Sequence, residues 1–281
     1  MTVPALGFGT APIMGRVSRR AGSAALERAH AAGIRHFDTA RSYGWGEAEG
    51  VVGAVLGRHR REDIRIVTKC GILPVRNSHL LRLAKSAARW ALALSPGLKA
   101  HVRSVASSQS FQPVRTYEID VLAGSLQTSL SELGVSYVDD LLLHNFSLDR
   151  PGIEAVGAWF REQQRAGTIR RFGFSVEGDL LEGLEFLASK DLLADAVMQV
   201  PVSDTLLALP AKWRGVRFIA HSPFTFMRRQ AESGGPLGNL AGLLPALGAA
   251  CRCEALVCSM FGADHLTANV TTWNSCNRPK P

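Results

Sequence analysis

Four residues of a 281-residue chain have the types needed to deliver a proton to an oxygen: Asp38, Tyr43, Lys69 and His144. They sit in Phe37-Asp38-Thr39-Ala40-Arg41-Ser42-Tyr43-Gly44, Val67-Thr68-Lys69-Cys70-Gly71 and Leu142-Leu143-His144-Asn145. A tyrosine ordinarily titrates at about pH 10, too high for an efficient acid near neutrality. A neighbouring ammonium stabilises the phenolate, and a carboxylate keeps that ammonium charged and in place. A lysine ending an apolar strand is costly without such a partner, so Lys69 calls for Asp38. His144 can hydrogen-bond a carbonyl oxygen and turn it toward the donor. Singly, each residue has a plainer reading: a loop cap, a packed aromatic, a satisfied core histidine. Together they make a proton-donating unit. No side chain supplies the matching hydride, so a nicotinamide is implied.

The elements that must bring these residues together are short apolar, β-branched runs alternating with helical-period segments. The expected strands are Ala5–Thr10, Ile34–Thr39, Ile64–Lys69, Tyr137–His144, Arg170–Val176, Ala196–Val200, Val216–His221 and Ala255–Ser259. Between them, Ala24, Leu26 and Ala29, then Val51, Val52, Val55 and Leu56, then Leu122, Leu126, Leu130 and Leu133 recur at helical spacing. Eight such units predict an α/β chain, a single (β/α)8 TIM barrel over residues 1–281, with a doubly wound sheet as the alternative. In a barrel the four residues all face the carboxyl-end mouth, where active sites lie.

One stretch breaks the rhythm. Between Cys70 and Arg115 lie Arg76, Arg82, Lys85, Arg89, Lys99, Arg103 and Arg115 with no acidic residue, seven of the net charge of +8. The rest of the chain carries +1, unlike a uniformly basic nucleic-acid binder. This long basic insert, roughly 70–116, holds a helical pattern at 79–94 and a Ser/Gln-rich loop at 104–112. It reads either as a helix packed on the barrel with a solvated basic face or as a lid that attracts an anionic substrate or an acidic partner surface. Membrane attachment is a third and weak reading. No run reaches the 18 or so apolar residues of a membrane helix, and the first residues lack a signal-peptide pattern. Five cysteines, odd in number and late in the chain, do not suggest a disulfide framework. A cytoplasmic location follows as the default.

Two motifs carry less than they suggest. Gly7-Phe8-Gly9-Thr10 lacks the third glycine of a dinucleotide fingerprint, since Pro12 stands there. Cys251-Arg252-Cys253 and Cys258 lack the second ligand pair of a metal site, and no metal is assigned.

With these residues in view, the chain resembles the aldo-keto reductase family over most of its length. The likeness rests on Gly7-Phe8-Gly9-Thr10, the stretches around Asp38, Tyr43 and Lys69, the run from Ser129 to His144, and Gly167-Thr168-Ile169-Arg170-Arg171-Phe172-Gly173-Phe174-Ser175. The resemblance implies NAD(P)H across the mouth, Tyr43 as acid, and Lys69, Asp38 and His144 in support. It implies that Ser175 and Gln199 hold the nicotinamide carboxamide, that Ser222 lies near the pyrophosphate, and that Asn269 contacts the adenine. Gly9, Thr10, His221, Phe224 and His265 complete the expected cofactor set.

The departures from the family pattern are specific. Val176 stands where an asparagine usually follows the serine, so one amide contact is lost. His221 stands where a tyrosine stacks on the nicotinamide ring; a protonated imidazole beside oxidised nicotinamide is repelled, which predicts pH-sensitive cofactor binding. After strand eight, where a Lys or Arg often meets the 2′-phosphate, only His265 is offered, so an NADP(H) preference over NAD(H) rests on family habit and basicity. The amino-terminal hairpin that plugs the barrel floor is missing before Gly7, and the carboxyl tail or a second subunit is expected to cover it. The expected activity is NAD(P)H-dependent reduction of a small-molecule aldehyde or ketone, with an anionic or carrier-presented substrate in view of the insert. Its alternatives are a sugar (aldose) dehydrogenase working oxidatively and a nucleotide-binding scaffold. Partners beyond substrate are limited to a homo-oligomer, with no nucleic acid and no membrane.

Overall fold

Leu141, Leu142 and Leu143 show why these segments become parallel strands. Leu141 and Leu143 pack outward into the large cluster under the helices, while Leu142 faces the inside with Val67, Val197, Ile219, Ala255 and Val257. A strand apolar on both faces needs cover on both, and a barrel ringed by helices provides it. The computed structural model describes residues 4–74, 114–176, 178–232 and 240–277.

The strands are β1 (Ala5–Gly9), β2 (His36–Asp38), β3 (Arg65–Cys70), β4 (Val138–Leu143), β5 (Ile169–Ser175), β6 (Val197–Pro201), β7 (Arg217–His221) and β8 (Ala255–Cys258). They form a closed barrel in sequence order, every pair parallel, with Ala5 to Phe8 registered on Ala255 to Cys258 at the seam. Strand bounds fall within two residues of those expected. The described helices include α1 (Arg19–Ala31), α2 (Ala48–Leu56), α3 (Ile119–Leu133), α4 (Ile153–Arg165), α5 (Leu180–Ser189), α6 (Asp204–Leu207), α7 (Pro223–Glu232), α8 (Leu240–Cys251) and α9 (Ala263–Asn277). In α1 the buried face is Gly22, Ala25, Leu26 and Ala29; Ala24, expected there, is only half-buried.

Period-two alternation stacks the barrel interior in layers. Along β3, Arg65 sits at the floor, Val67 in the apolar belt and Lys69 at the mouth; Asp140, Leu142 and His144 repeat the order along β4. The floor is a ring of four ionisable side chains, Arg65, Arg171, Asp140 and Glu254. Arg65 and Arg171 donate from their Nε atoms to the two oxygens of Asp140 at 2.9 and 2.7 Å, and both guanidiniums also reach Glu254. Below it opens a cavity of about 580 Å³ whose wall includes Val270, Trp273 and Asn274 of α9. The carboxyl-terminal helix thus supplies part of the floor's cover.

The insert's helix and loop lie outside the described residues. Its neck does not: Ile72 bridges Arg115 antiparallel, and Leu73 donates to Val114 at 2.9 Å. This places the insert's departure and return just past β3, on the mouth side.

Candidate active site

Three strand ends and one tight turn assemble the site. Asp38 ends β2 and Lys69 lies near the end of β3, both buried. The Lys69 Nζ donates to Asp38 Oδ1 and Oδ2 at 2.7 and 2.9 Å, to the Thr39 carbonyl at 2.9 Å, and to the Tyr43 hydroxyl at 3.3 Å. Burial pulls the Lys69 pKa down, but Asp38 and Tyr43 outweigh it and the pKa stands raised, so the ammonium stays charged.

Tyr43 is carried on a 3₁₀ turn, Tyr43–Gly46, in which Gly44 and Trp45 adopt left-handed conformations at φ 57° and 62°. A Cβ at Gly44 would lie 2.5 Å from the Ile13 carbonyl oxygen, so only glycine lets this turn lie against the β1 loop. Beneath the turn, Arg41 binds the buried Glu49 at 2.7 Å, and Glu49 accepts from Thr68 at 2.6 Å. This buried triad, which the sequence reading did not single out, fixes the segment that presents the phenol.

His144 follows β4, its ring edge-on to Tyr43 with centroids 5.7 Å apart. Burial, then Lys69, Arg115 and His221, lower its pKa to about 3, so the imidazole is neutral. Its Nδ1 lies 3.3 Å from Ser42 Oγ. When the hydroxyl donates there, the ring proton resides on Nε2, the tautomer able to donate to a carbonyl oxygen.

These residues line a mouth cavity of about 500 Å³ together with Gly9, Ser175, Gln199, His221, Ser222 and Phe224. The larger cavity lies at the opposite, floor end, away from this chemistry. Gln199 donates to Asp38 Oδ1 at 2.6 Å, tying β6 to the Lys69 ion pair. His221 Nδ1 lies 2.9 Å from Ser222 Oγ. Three of the expected cofactor residues stand elsewhere. Thr10 is buried with its hydroxyl on the Asp38 carbonyl at 2.9 Å, while the exposed His265 and buried Asn269 on α9 lie outside the cavity lining. Arg16, Asn145 and Arg228, absent from the expected set, do line it. Asn145 follows His144 directly, and that adjacency was the available signal.

Among the described residues no cluster of His, Cys, Asp or Glu could hold a metal. All five cysteines are free, four of them buried. Burial pushes the Cys70 thiol up to about 12, which leaves it inert beside the site.

A barrel whose mouth joins a buried carboxylate–lysine pair to a tyrosine defines a class, and the comparisons name it. The chain belongs to the aldo/keto reductase family: the model for the Aldo/keto reductase family matches residues 5–239. Among curated proteins it is similar to pyridoxal 4-dehydrogenase of Microbacterium luteolum, 32% identical over 190 residues, covering 63% of this chain and 53% of that protein. It is also similar to the NADH-specific methylglyoxal reductase of Escherichia coli, 30% identical over 148 residues, covering 52% of this chain and 38% of that one. The matches thus span about half or less of these relatives' lengths. Among solved structures it shares the fold of an aldo-keto reductase from Bacillus halodurans, with a TM-score of 0.67 at 19% identity over 97% of this chain and 87% of that one.

Proposed function

We propose that the chain is an NAD(P)(H)-dependent oxidoreductase that reduces an aldehyde or ketone to an alcohol, with Tyr43 as proton donor. The observation that carries this is the Lys69 Nζ held between Asp38 and the Tyr43 hydroxyl at the bottom of the mouth cavity. The cavity residues fit a nicotinamide dinucleotide: the Ser175 hydroxyl and the amides of Asn145 and Gln199 suit its carboxamide, and Ser222 at the start of α7 suits its phosphates. A nicotinamide bound there supplies the hydride. The protein's part is the proton. The carbonyl oxygen accepts from His144 Nε2 and from Tyr43, whose hydroxyl proton passes to that oxygen while the Lys69 ammonium stabilises the phenolate left behind. Asp38, braced by Gln199, keeps Lys69 aimed.

NADP(H) is the preferred cofactor in this reading, supported by the basic mouth. NAD(H) is the second reading, favoured by the NADH-specific name of the Escherichia coli relative. The oxidative alternative on a sugar or related hemiacetal draws support from the dehydrogenase name of the Microbacterium luteolum relative. We read the domain as one barrel over 1–281 in the cytoplasm; among the described residues no helix is long and apolar enough to cross a membrane.

The test is a fluorescence titration of NADPH and NADH, followed by turnover of a simple aldehyde. Tight binding with reduction supports the enzyme. Binding without turnover of any aldehyde moves the chain to the scaffold reading, and binding of neither nucleotide ends the oxidoreductase reading.

A further inference from the structure

The charge of the mouth is unevenly spent. Its one carboxylate among the described lining residues, Asp38, is fully engaged by Lys69 and Gln199. Two lining cations remain, Arg16 and Arg228, and neither has an ion-pair partner among the described residues. Four other arginines at the barrel ends do have one: Arg41 binds Glu49, Arg61 binds Asp139, and Arg65 and Arg171 bind Asp140.

The two stand on different sides. Arg228 lies on α7, one turn beyond Phe224, beside Ser222 and the residues that suit a dinucleotide. Arg16 lies in the loop after β1, on the side of the proton donor. That loop is tightly built. Pro12 accepts backbone hydrogen bonds from Gly15, Arg16 and Val17 at 3.2, 3.0 and 2.9 Å, Met14 donates to Val17 at 2.8 Å, and Ile13 beneath it is fully buried. Met14 is held at φ 61°, a left-handed conformation that non-glycine residues rarely adopt. The same loop abuts the Tyr43 turn, where Ile13 and Met14 crowd Gly44. A hydrogen-bonded loop therefore holds the Arg16 backbone at the mouth, and its side chain lines the same cavity as Tyr43. Arg115 is a weaker candidate, because it donates to the Asn145 carbonyl and lines a neighbouring cavity with Asp149, Asp179 and Glu182.

We propose that Arg16 is a specificity-determining residue that binds a carboxylate or phosphate carried by the carbonyl substrate. A guanidinium lining the mouth without a carboxylate partner among the described residues can pair with such an oxyanion, an interaction a neutral substrate does not offer. This rests on the oxidoreductase reading above, deepens it to a substrate class, and draws on none of the insert's charges.

The experiment compares 4-carboxybenzaldehyde with its neutral methyl ester, methyl 4-formylbenzoate, as substrates with NADPH. At low ionic strength the wild-type KM for the acid should lie at least tenfold below that for the ester, and the gap should close as salt is added. Arg16→Glu should erase the preference while leaving NADPH affinity unchanged, and Arg16→Lys should retain part of it. Arg20→Glu, the same charge change on an exposed residue of α1, should leave the preference intact. Equal KM values in the wild type overturn the proposal. So does an Arg16→Glu variant that loses NADPH affinity, since the guanidinium then serves a dinucleotide phosphate. If NADPH binds but neither aldehyde turns over, the oxidoreductase reading fails separately. Calorimetric binding of terephthalate to wild type but not to Arg16→Glu then still supports the anion site, and its absence from both refutes it.

Discussion

The Asn145 carboxamide accepts from the Ser175 hydroxyl at 3.1 Å, across the gap between the ends of β4 and β5. Asn145 reaches it from a left-handed backbone conformation at φ 50°, which asparagine tolerates better than most residues. Val176, where the family pattern carries an amide, is buried in the core instead. An amide from the end of β4 thus lines the mouth cavity beside Ser175. Asn145→Ala is predicted to weaken NADPH binding about tenfold, the scale of one or two hydrogen bonds to a buried amide. Nucleotide fluorescence titration measures it, and an unchanged affinity would return Asn145 to a purely structural role.

Tyr43→Phe removes the proton and keeps the ring. Reduction should fall by about 10² to 10⁴, the usual worth of general acid catalysis, with NADPH affinity preserved. Ser42→Ala should act less strongly, lowering kcat without changing cofactor affinity, because it frees the choice of His144 tautomer. Steady-state kinetics on both variants separates the acid from the group that orients its neighbour.

Folding stability should decline toward acid. Burial lowers both His36 and His144 to about 3, against an unfolded value of about 6.5. Burial raises Asp140 to about 7 despite Arg65. Between about pH 4.5 and 6 the unfolded chain binds two more protons on the histidines and one fewer on Asp140, a net of about one. Stability should therefore rise with pH there by about 1.4 kcal/mol per unit. His30, lowered mainly by burial, acts in the same direction. His36→Leu should flatten the slope by about one proton in urea unfolding across this range. An unaltered slope would mean that His36 is already charged in the fold.

The floor ring supports the barrel without touching the chemistry. Asp140→Ala leaves Arg65 and Arg171 sharing Glu254 alone, and breaking a buried pair in this way costs about 3–5 kcal/mol. Because both guanidiniums are partly exposed, at 32% and 22%, the lower end is expected. Denaturant unfolding should register the loss, while kcat and KM of the folded fraction stay unchanged.

The strands and the four-residue unit were legible because each depends on local pattern: apolar runs of strand length, with polar residues at their ends. The Arg41–Glu49–Thr68 triad was not, since it joins a loop, a helix and a strand whose proximity exists only after closure. Arg16 was hidden for a related reason, as one of many arginines until the Pro12–Val17 loop was seen to carry it to the rim. Thr10 shows another contact that appears only on folding: its hydroxyl donates to the Asp38 carbonyl, through the pairing of β1 with β2.

The apolar belt of Val67, Leu142, Val197, Ile219, Ala255 and Val257 forms an insulating septum between the floor cavity and the mouth cavity. In the proposed reaction the phenol would regain its proton from the rim, since none of the six belt side chains is polar. The barrel is in effect a cup with a sealed base. Whatever docks beneath it can alter how long the vessel lasts, while only what enters from above can alter what is made in it.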